Sequence, residues 1–156
     1  SLHDALPIYT PGHSSCSISA YLPHLNALLP SDAAAIPYRD EYIIAAGSSF
    51  SKYKRSLDKL ERLKVDLLCA DHYGYVAGGE ASGFITSSKI ATDQMIEAIL
   101  EATDKEDSIE RAAATLVNRH YEKRPDYFVA PEILLGTYMK MLRQFPPQNQ
   151  MASRPI

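Results

Sequence analysis

The chain has 156 residues, of which 46% are hydrophobic and 22% charged, with a formal net charge of −3. These values are ordinary for one globular domain. Lys and Arg are interleaved with Asp and Glu, so the chain lacks the basic stripe that is typical of nucleic-acid binding. No apolar run reaches the roughly 18 residues that a membrane span needs. We therefore expect neither nucleic acid nor a membrane as a partner.

The two cysteines, Cys16 and Cys69, lie in strand-like runs rather than in a spaced framework. Such usage is typical of a reducing compartment, and we expect a cytoplasmic protein. A thiol enzyme that uses Cys16 is a further hypothesis. Two points argue against this hypothesis. The thiol would need a base beside it, and a cysteine buried in a strand is usually inert.

Residues 1–8 show no clear hydrophobic period. One reverse translation of this octapeptide matches the end of a widely used sequencing adapter. We therefore expect a non-native leader at 1–8, natural sequence from about Tyr9, and no function for His3 and Asp4. The alternative is a genuine N-terminal loop.

Short runs after the leader predict a β-hairpin. Residues 17–22 alternate small polar with apolar side chains, which is the period of a half-buried strand. Pro23-His24 forms the turn, which leaves His24 exposed, and residues 26–29 return as a second strand. Residues 33–47 are predicted as a long loop, a feature that is often functional in compact domains.

An amphipathic helix and a buried strand are predicted next. Apolar side chains recur at helical spacing over residues 50–63, and Ser48, Ser49 or Ser51 can cap the helix. Residues 65–70 are a short apolar run, typical of a buried strand, which ends at Asp71-His72. Residues 73–83 contain four glycines and are predicted as a flexible loop.

Three helical stretches are predicted in the rest of the chain. The first covers residues 90–100. The second begins at Asp107, which forms a capping-box-like pair with Glu110, and reaches His120, expected to be a cap or surface residue. The third has Pro131 in its first turn, a favoured position for proline.

Three side chains that suit a metal lie at or just beyond predicted strand ends: His13, Asp32 and His72. Divalent metals bind imidazole nitrogen and carboxylate oxygen, and two ions about 3.5–4 Å apart can share a bridging carboxylate. Each residue alone has a simpler explanation. His13 would lie in a structural turn, Asp32 would form an Asx turn, and His72 would form a surface pair with Asp71. Their combination at successive strand ends favours a metal site.

The order Thr10-Pro11-Gly12-His13, then Ser31-Asp32-Ala33, then a helix and a strand that ends in His72, resembles the C-terminal half of a metallo-β-lactamase-fold hydrolase. The resemblance covers about residues 9–83. It implies that His13 is the last of three histidines on the first metal. It further implies that Asp32 bridges both metals and that His72 binds the second. Ser31 replaces the family's usual glycine, and the family's HxHxDH motif is not among these residues.

The resemblance implies an α/β fold, namely half of an αβ/βα sandwich followed by C-terminal helices. The domains would be 9–83 for this half, 84–145 for a helical extension and 146–156 for a disordered tail. The implied cofactor is a pair of divalent ions, with zinc first and iron or manganese also suited to the donors. The implied substrate is a small ester, thioester or lactone.

The ligand count limits what the chain can do by itself. His13 alone cannot hold the first metal, and Asp32 with His72 gives two protein ligands where catalytic zinc has about three. We therefore expect a truncated hydrolase with little activity and one exposed sheet face. The alternative is a non-catalytic fragment or a helical interaction module at 90–145. These C-terminal helices are also a candidate homodimer contact.

Overall fold

The computed structural model describes residues 4–72 and 74–145. It mixes strands and helices, which confirms the α/β class. The elements are β1 (Leu6–Tyr9), β2 (Ile18–Leu22), β3 (Ala27–Leu29), β4 (Ile36–Tyr38), β5 (Glu41–Ile43), α1 (Phe50–Leu60), β6 (Leu67–Cys69), β7 (Tyr75–Ala77), α2 (Gly78–Lys105), α3 (Ile109–Lys123) and α4 (Pro131–Leu142). The chain divides into two compact units, one ending at Asp93 and the other beginning at Gln94.

The first unit contains a five-stranded sheet in the order β1-β2-β3-β6-β7. β2 is antiparallel to both β1 and β3, while β3 and β6 are parallel. β1, β3 and β6 therefore run in one direction. The residues that follow these three strands emerge at the same edge of the sheet, the edge at which open α/β sheets bind their ligands.

The predicted hairpin of β2 and β3 is confirmed. Ala20 pairs with Leu29, and the strands are joined by the 3-10 turn Pro23–Leu25. Asn26 closes this turn in the left-handed conformation, with φ of 45°, which Asn tolerates better than most residues. On the other side of β2, residues 6–8 of the expected leader belong to the edge strand β1.

Residues 33–47 are not the plain loop that was predicted. β4 and β5 form a two-stranded antiparallel ribbon in which Pro37 lies opposite Tyr42. The connecting turn uses Arg39 with φ of 53°. Pro37 normally argues against a strand because it has no N–H to donate, but a two-stranded ribbon has edges where that N–H is not needed.

Helix α1 begins after a serine cap, as predicted. The Oγ of Ser49 accepts a hydrogen bond from the N–H of Lys52 at 3.3 Å. This satisfies one of the backbone N–H groups of the first turn, which have no partner within the helix. The apolar face predicted from helical spacing is buried. The fully buried core of this unit includes Tyr53, Leu57, Leu60, Leu28 of β3 and Leu68 of β6.

The prediction of a flexible loop over residues 73–83 is wrong for the part that the structure describes. β7 pairs with β6, and α2 begins at Gly78 and includes the helix predicted over residues 90–100. Gly74 and Gly78 have positive φ values of 88° and 60°, so two of the four glycines serve the turns at each end of β7. The other two lie within the helix, where glycine is tolerated at a cost.

In the second unit, α3 and α4 pack against each other. α3 begins after Ser108, whose side chain accepts from the N–H of Arg111, so the cap is Ser108 and not Asp107 as predicted. α4 begins with Pro131, as predicted. The predicted tail at 146–156 lies outside the described residues.

His120 is not the cap or surface residue that was predicted. Its side chain is buried and its Nδ1 lies 3.2 Å from the hydroxyl of Tyr138 on α4. α3 continues past it to Lys123, so His120 occupies a position on the face that packs against α4. None of the described helices is long and apolar enough to cross a membrane.

Candidate metal site

The turn that carries His13 is held against the start of α1. The carbonyl of Gly12 accepts from the N–H groups of Ser48 and Ser49 at 2.9 and 3.0 Å. Gly12 has φ of 145°, and a Cβ at this position would lie 2.4 Å from the Cα of Tyr53. Only glycine fits here, both for its backbone conformation and for the close approach of the helix.

A buried chain of hydroxyl groups joins this turn to the segment that carries Asp32. The hydroxyl of Ser19 donates to the carbonyl of Pro30 at 2.9 Å, and the hydroxyl of Thr10 lies 2.8 Å from that of Ser19. Because Ser19 gives its single proton to Pro30, Thr10 is the donor of the second bond. Thr10 and Ser19 are fully buried, so the ends of β1 and β3 are held together.

Asp32 lies in the 3-10 turn Ser31–Ala33, directly after β3. Ser31 has φ of 50°, a conformation that glycine adopts without strain and serine does not. The serine hydroxyl donates to Asp71 Oδ2 at 2.8 Å. This hydrogen bond compensates for the strain and links Asp32's turn to the residue before His72.

The structure brings all three predicted residues together. Nε2 of His13 lies 3.6 Å from Oδ2 of Asp32, and Nε2 of His72 lies 3.6 Å from Oδ1 of the same carboxylate. Nδ1 of His13 lies 2.7 Å from the carbonyl oxygen of Ala45. Since a carbonyl only accepts, Nδ1 carries the proton and Nε2 of the neutral ring presents its lone pair toward Asp32.

The donors match a two-metal centre in type and fall short of it in number. Each oxygen of Asp32 faces a different imidazole nitrogen, and 3.6 Å exceeds a hydrogen-bond distance. Each metal position would thus have one nitrogen and one oxygen, where catalytic zinc has about three protein ligands. Among residues 4–72 and 74–145, no group of three or more His, Cys, Asp or Glu side chains is arranged to hold one ion. The three residues can therefore supply only part of the ligands that such a centre needs.

Tyr53 lies near the site, and the sequence pattern did not single it out. It is fully buried, and its hydroxyl has no hydrogen-bond partner within the described part of the chain. Burial, and then the charge of Asp32, raise the pKa of Tyr53 well above its ordinary value, so the phenol stays neutral. Its helical spacing made it indistinguishable from the other core residues of α1.

Cys16 does not lie in a buried strand as predicted, because it is exposed in the turn before β2. Its thiol lies 3.5 Å from the hydroxyl of Ser14, which also contacts Ser17 Oγ at 2.7 Å. Neither neighbour is a base. Cys69 lies in β6, where a strand was predicted.

No protein-family model matches the sequence, and no curated protein matches it significantly. Solved structures, by contrast, match the fold of this chain. A metallo-β-lactamase family protein from Thermus thermophilus is 21% identical with a TM-score of 0.62, over 90% of this chain and 44% of that one. The stereoselective inverting sec-alkylsulfatase Pisa1 from Pseudomonas sp. is 17% identical with a TM-score of 0.55, over 97% of this chain and 26% of that one.

These similarities show the fold. The predicted fold, part of a metallo-β-lactamase domain with added helices, is confirmed. The chain spans less than half the length of either structure.

Proposed function

We propose that this chain contributes three ligands to the two-metal centre of a metallo-β-lactamase-fold hydrolase. The observation that carries the proposal is the carboxylate of Asp32, whose two oxygens face Nε2 of His13 and Nε2 of His72 at 3.6 Å each. A carboxylate with this placement can bridge two ions about 3.5–4 Å apart.

The roles of the three residues follow from their surroundings. His13 would bind the first metal through Nε2, since its Nδ1–H is held by the carbonyl of Ala45. Asp32 would bridge both metals, and His72 would bind the second. When bound, the metals would activate a water nucleophile and stabilise the negative charge that develops on a carbonyl or ester.

The proposed substrate is a small ester, thioester or lactone, and the proposed metal is zinc, with iron or manganese as alternatives. One structural neighbour is named as a sec-alkylsulfatase, which supports an ester-like substrate. Residues 9–83 would be the metal-binding part and 84–145 the helical extension. Because each ion would have only two protein donors from these residues, we further propose that these 156 residues alone have little activity.

The first test is metal binding by the purified chain. After dialysis against chelator, we expect near-zero tightly held metal, and weak zinc binding in a calorimetric titration. Asp32→Asn and His72→Ala should each abolish the weak binding, whereas His24→Ala should not, because His24 lies in an exposed turn. Equal titrations for the parent chain and Asp32→Asn would refute the assignment.

Tightly held zinc, about one ion or more per chain and lost in His72→Ala, would refute the ligand count instead. It would mean that these residues assemble a complete centre, for example as a dimer.

The alternative proposal is a helical interaction module. It is supported by apolar side chains exposed in the second unit, with Phe128 at 51% and Ile133 at 65%. A chain that binds no zinc in the titration but forms a homodimer lost in Ile133→Lys would favour it.

A further inference from the structure

A groove of about 260 Å³ lies along one side of α1 in the first unit. Three of the four helix residues that line it are cations, and no acidic residue lines it. Their spacing of three and four positions places them on one helix face. The lining residues are Tyr9, Pro11, Lys52, Arg55, Ser56 and Lys59.

Two of these cations have no counter-charge within the described residues. The side chains of Lys52 and Arg55 form no ion pair or hydrogen bond there, while the ammonium of Lys59 donates to the carbonyl of Tyr9 at 2.9 Å. Like charges three and four positions apart on a helix repel each other. An anion in the groove would remove this repulsion.

Two cations near the groove that do not line it, Lys54 and Lys89, are neutralised. Lys54 pairs with Asp93 at 2.7 Å, and Lys89 pairs with both Asp58 and Glu61 at 2.8 and 2.7 Å. The acidic residues next to the groove are therefore already occupied by cations that do not line it. In a chain with net charge −3, this makes the groove a distinct positive site.

The part of the groove formed by Tyr9, Pro11 and Ser56 is held in place without a ligand. Ser56 is buried and its hydroxyl donates to the carbonyl of Pro11 at 2.8 Å. The hydroxyl of Tyr9 donates to the carbonyl of Ser15 at 2.7 Å, and its ring lies 5.9 Å from the ammonium of Lys59. This part of the groove therefore loses little conformational entropy when a ligand binds.

We propose that this groove binds a small phosphate-bearing anion. A guanidinium flanked by two ammonium groups matches the geometry and charge of a phosphate, which Arg contacts with two parallel hydrogen bonds. Lys52 lies in the first turn of α1, where the helix dipole adds positive potential. The volume lies below the roughly 300–1,000 Å³ of sites for drug-sized ligands, which selects inorganic phosphate or a small phosphate monoester.

The site is independent of the proposed metal centre, because none of its residues is a proposed ligand. It can therefore be tested on the full chain after metal has been removed with chelator. The probes are inorganic phosphate and AMP in a low-salt buffer without other multivalent anions. Binding is read by calorimetry and by the rise of the melting temperature, with sodium chloride at matched ionic strength as the reference.

We expect saturable millimolar or tighter binding of at least one probe and a melting temperature a few degrees higher than in chloride. Arg55→Gln and Lys52→Gln should each weaken binding about tenfold. Both side chains are exposed, so folding should be unaffected. The matched control is Lys54→Gln, on the same helix but paired with Asp93, which should bind like the parent chain.

The source of the phosphate is decided by the two probes. Tighter binding of AMP would indicate a phosphate monoester, and equal or tighter binding of inorganic phosphate would indicate the free ion. The proposal is overturned if neither probe gives more than the chloride effect up to about 10 mM. It is also overturned if Arg55→Gln binds like the parent chain, or if Lys54→Gln weakens binding as much as Arg55→Gln.

Discussion

A buried histidine in the second unit lacks a hydrogen-bond partner at one of its two ring nitrogens. His120 is 3% exposed, and its Nδ1 contacts the hydroxyl of Tyr138 while Nε2 has no partner in the described chain. Burial, and then the charge of Arg124, lower the pKa of His120 to about 4. The ring of Tyr127 lies 4.5 Å away, centroid to centroid, so the imidazole is packed against an aromatic side chain.

We therefore predict that the second unit loses stability in mild acid. In the unfolded chain His120 binds a proton with the ordinary histidine pKa near 6.5, whereas in the folded chain its pKa is about 4. The stability that neutral His120 provides is thus present above pH 6.5 and is lost as the pH falls from 6.5 to 4, by up to roughly 3 kcal/mol. Urea unfolding followed by far-UV circular dichroism at pH 7, 5.5 and 4.5 measures this loss.

The variant for this measurement is His120→Leu, which removes the titrating group from the buried position. Its unfolding free energy should vary less between pH 7 and 4.5 than that of the parent chain. His24→Gln removes an exposed histidine and should keep the parent slope. The same pH dependence in His120→Leu and in the parent would show that another group is responsible.

At the scale of the elements, sequence periodicity predicted the parts that carry a strong local signal. Residues 17–22, which contain β2, alternate with period two, and α1 combines an apolar face with the Ser49 cap. The ribbon over residues 36–43 and strand β7 were missed. Both depend on pairing with a partner strand, and Pro37 and the glycines after Tyr73 disfavour strands locally.

The proximity of the three candidate ligands could be expected from the sequence, but their geometry could not. His13, Asp32 and His72 were singled out because each was placed at or just beyond a predicted strand end. The opposite placement of the two histidines on one carboxylate depends on tertiary structure. The hydrogen bond from His13 to the carbonyl of Ala45 was also not predictable, because any residue type can supply a backbone carbonyl.

The contact between the Gly12 turn and α1 gives an element-scale prediction. Gly12→Ala would place a Cβ 2.4 Å from the Cα of Tyr53 and would force alanine to a φ of 145°. Backbone atoms cannot move aside as a flexible side chain can. We expect a loss of about 3 kcal/mol or more in the free energy of unfolding, or no folded protein.

A second glycine separates the steric effect from the backbone effect. Gly74 also has a positive φ, 88°, but a Cβ there would meet nothing within 4 Å. Gly74→Ala should therefore cost only the conformational strain, about 1–2 kcal/mol. Equal losses for the two variants, measured by urea unfolding, would show that the close approach of Tyr53 adds nothing.

At the scale of the whole chain, one face of the five-stranded sheet presents large apolar side chains to solvent. Register places Ala20 beside Leu29, Ala27 beside Leu67 and Cys69 beside Tyr75. Ile18, Leu29 and Tyr75 therefore share a face, since side chains alternate along each strand. They are exposed to 57%, 39% and 71%. A face of this kind favours association or aggregation in water.

We predict that the isolated chain self-associates through this face and that added charge prevents it. Ile18→Lys combined with Leu29→Lys should shift the sedimentation coefficient toward the monomer value at about 50 µM chain. Because both side chains are exposed, the substitutions should change the free energy of unfolding by no more than about 1 kcal/mol. Leu25→Lys is the matched control, because Leu25 is 54% exposed but lies in the turn between β2 and β3. If the parent chain is monomeric at this concentration, or if Leu25→Lys dissociates it equally well, the sheet face is not the contact.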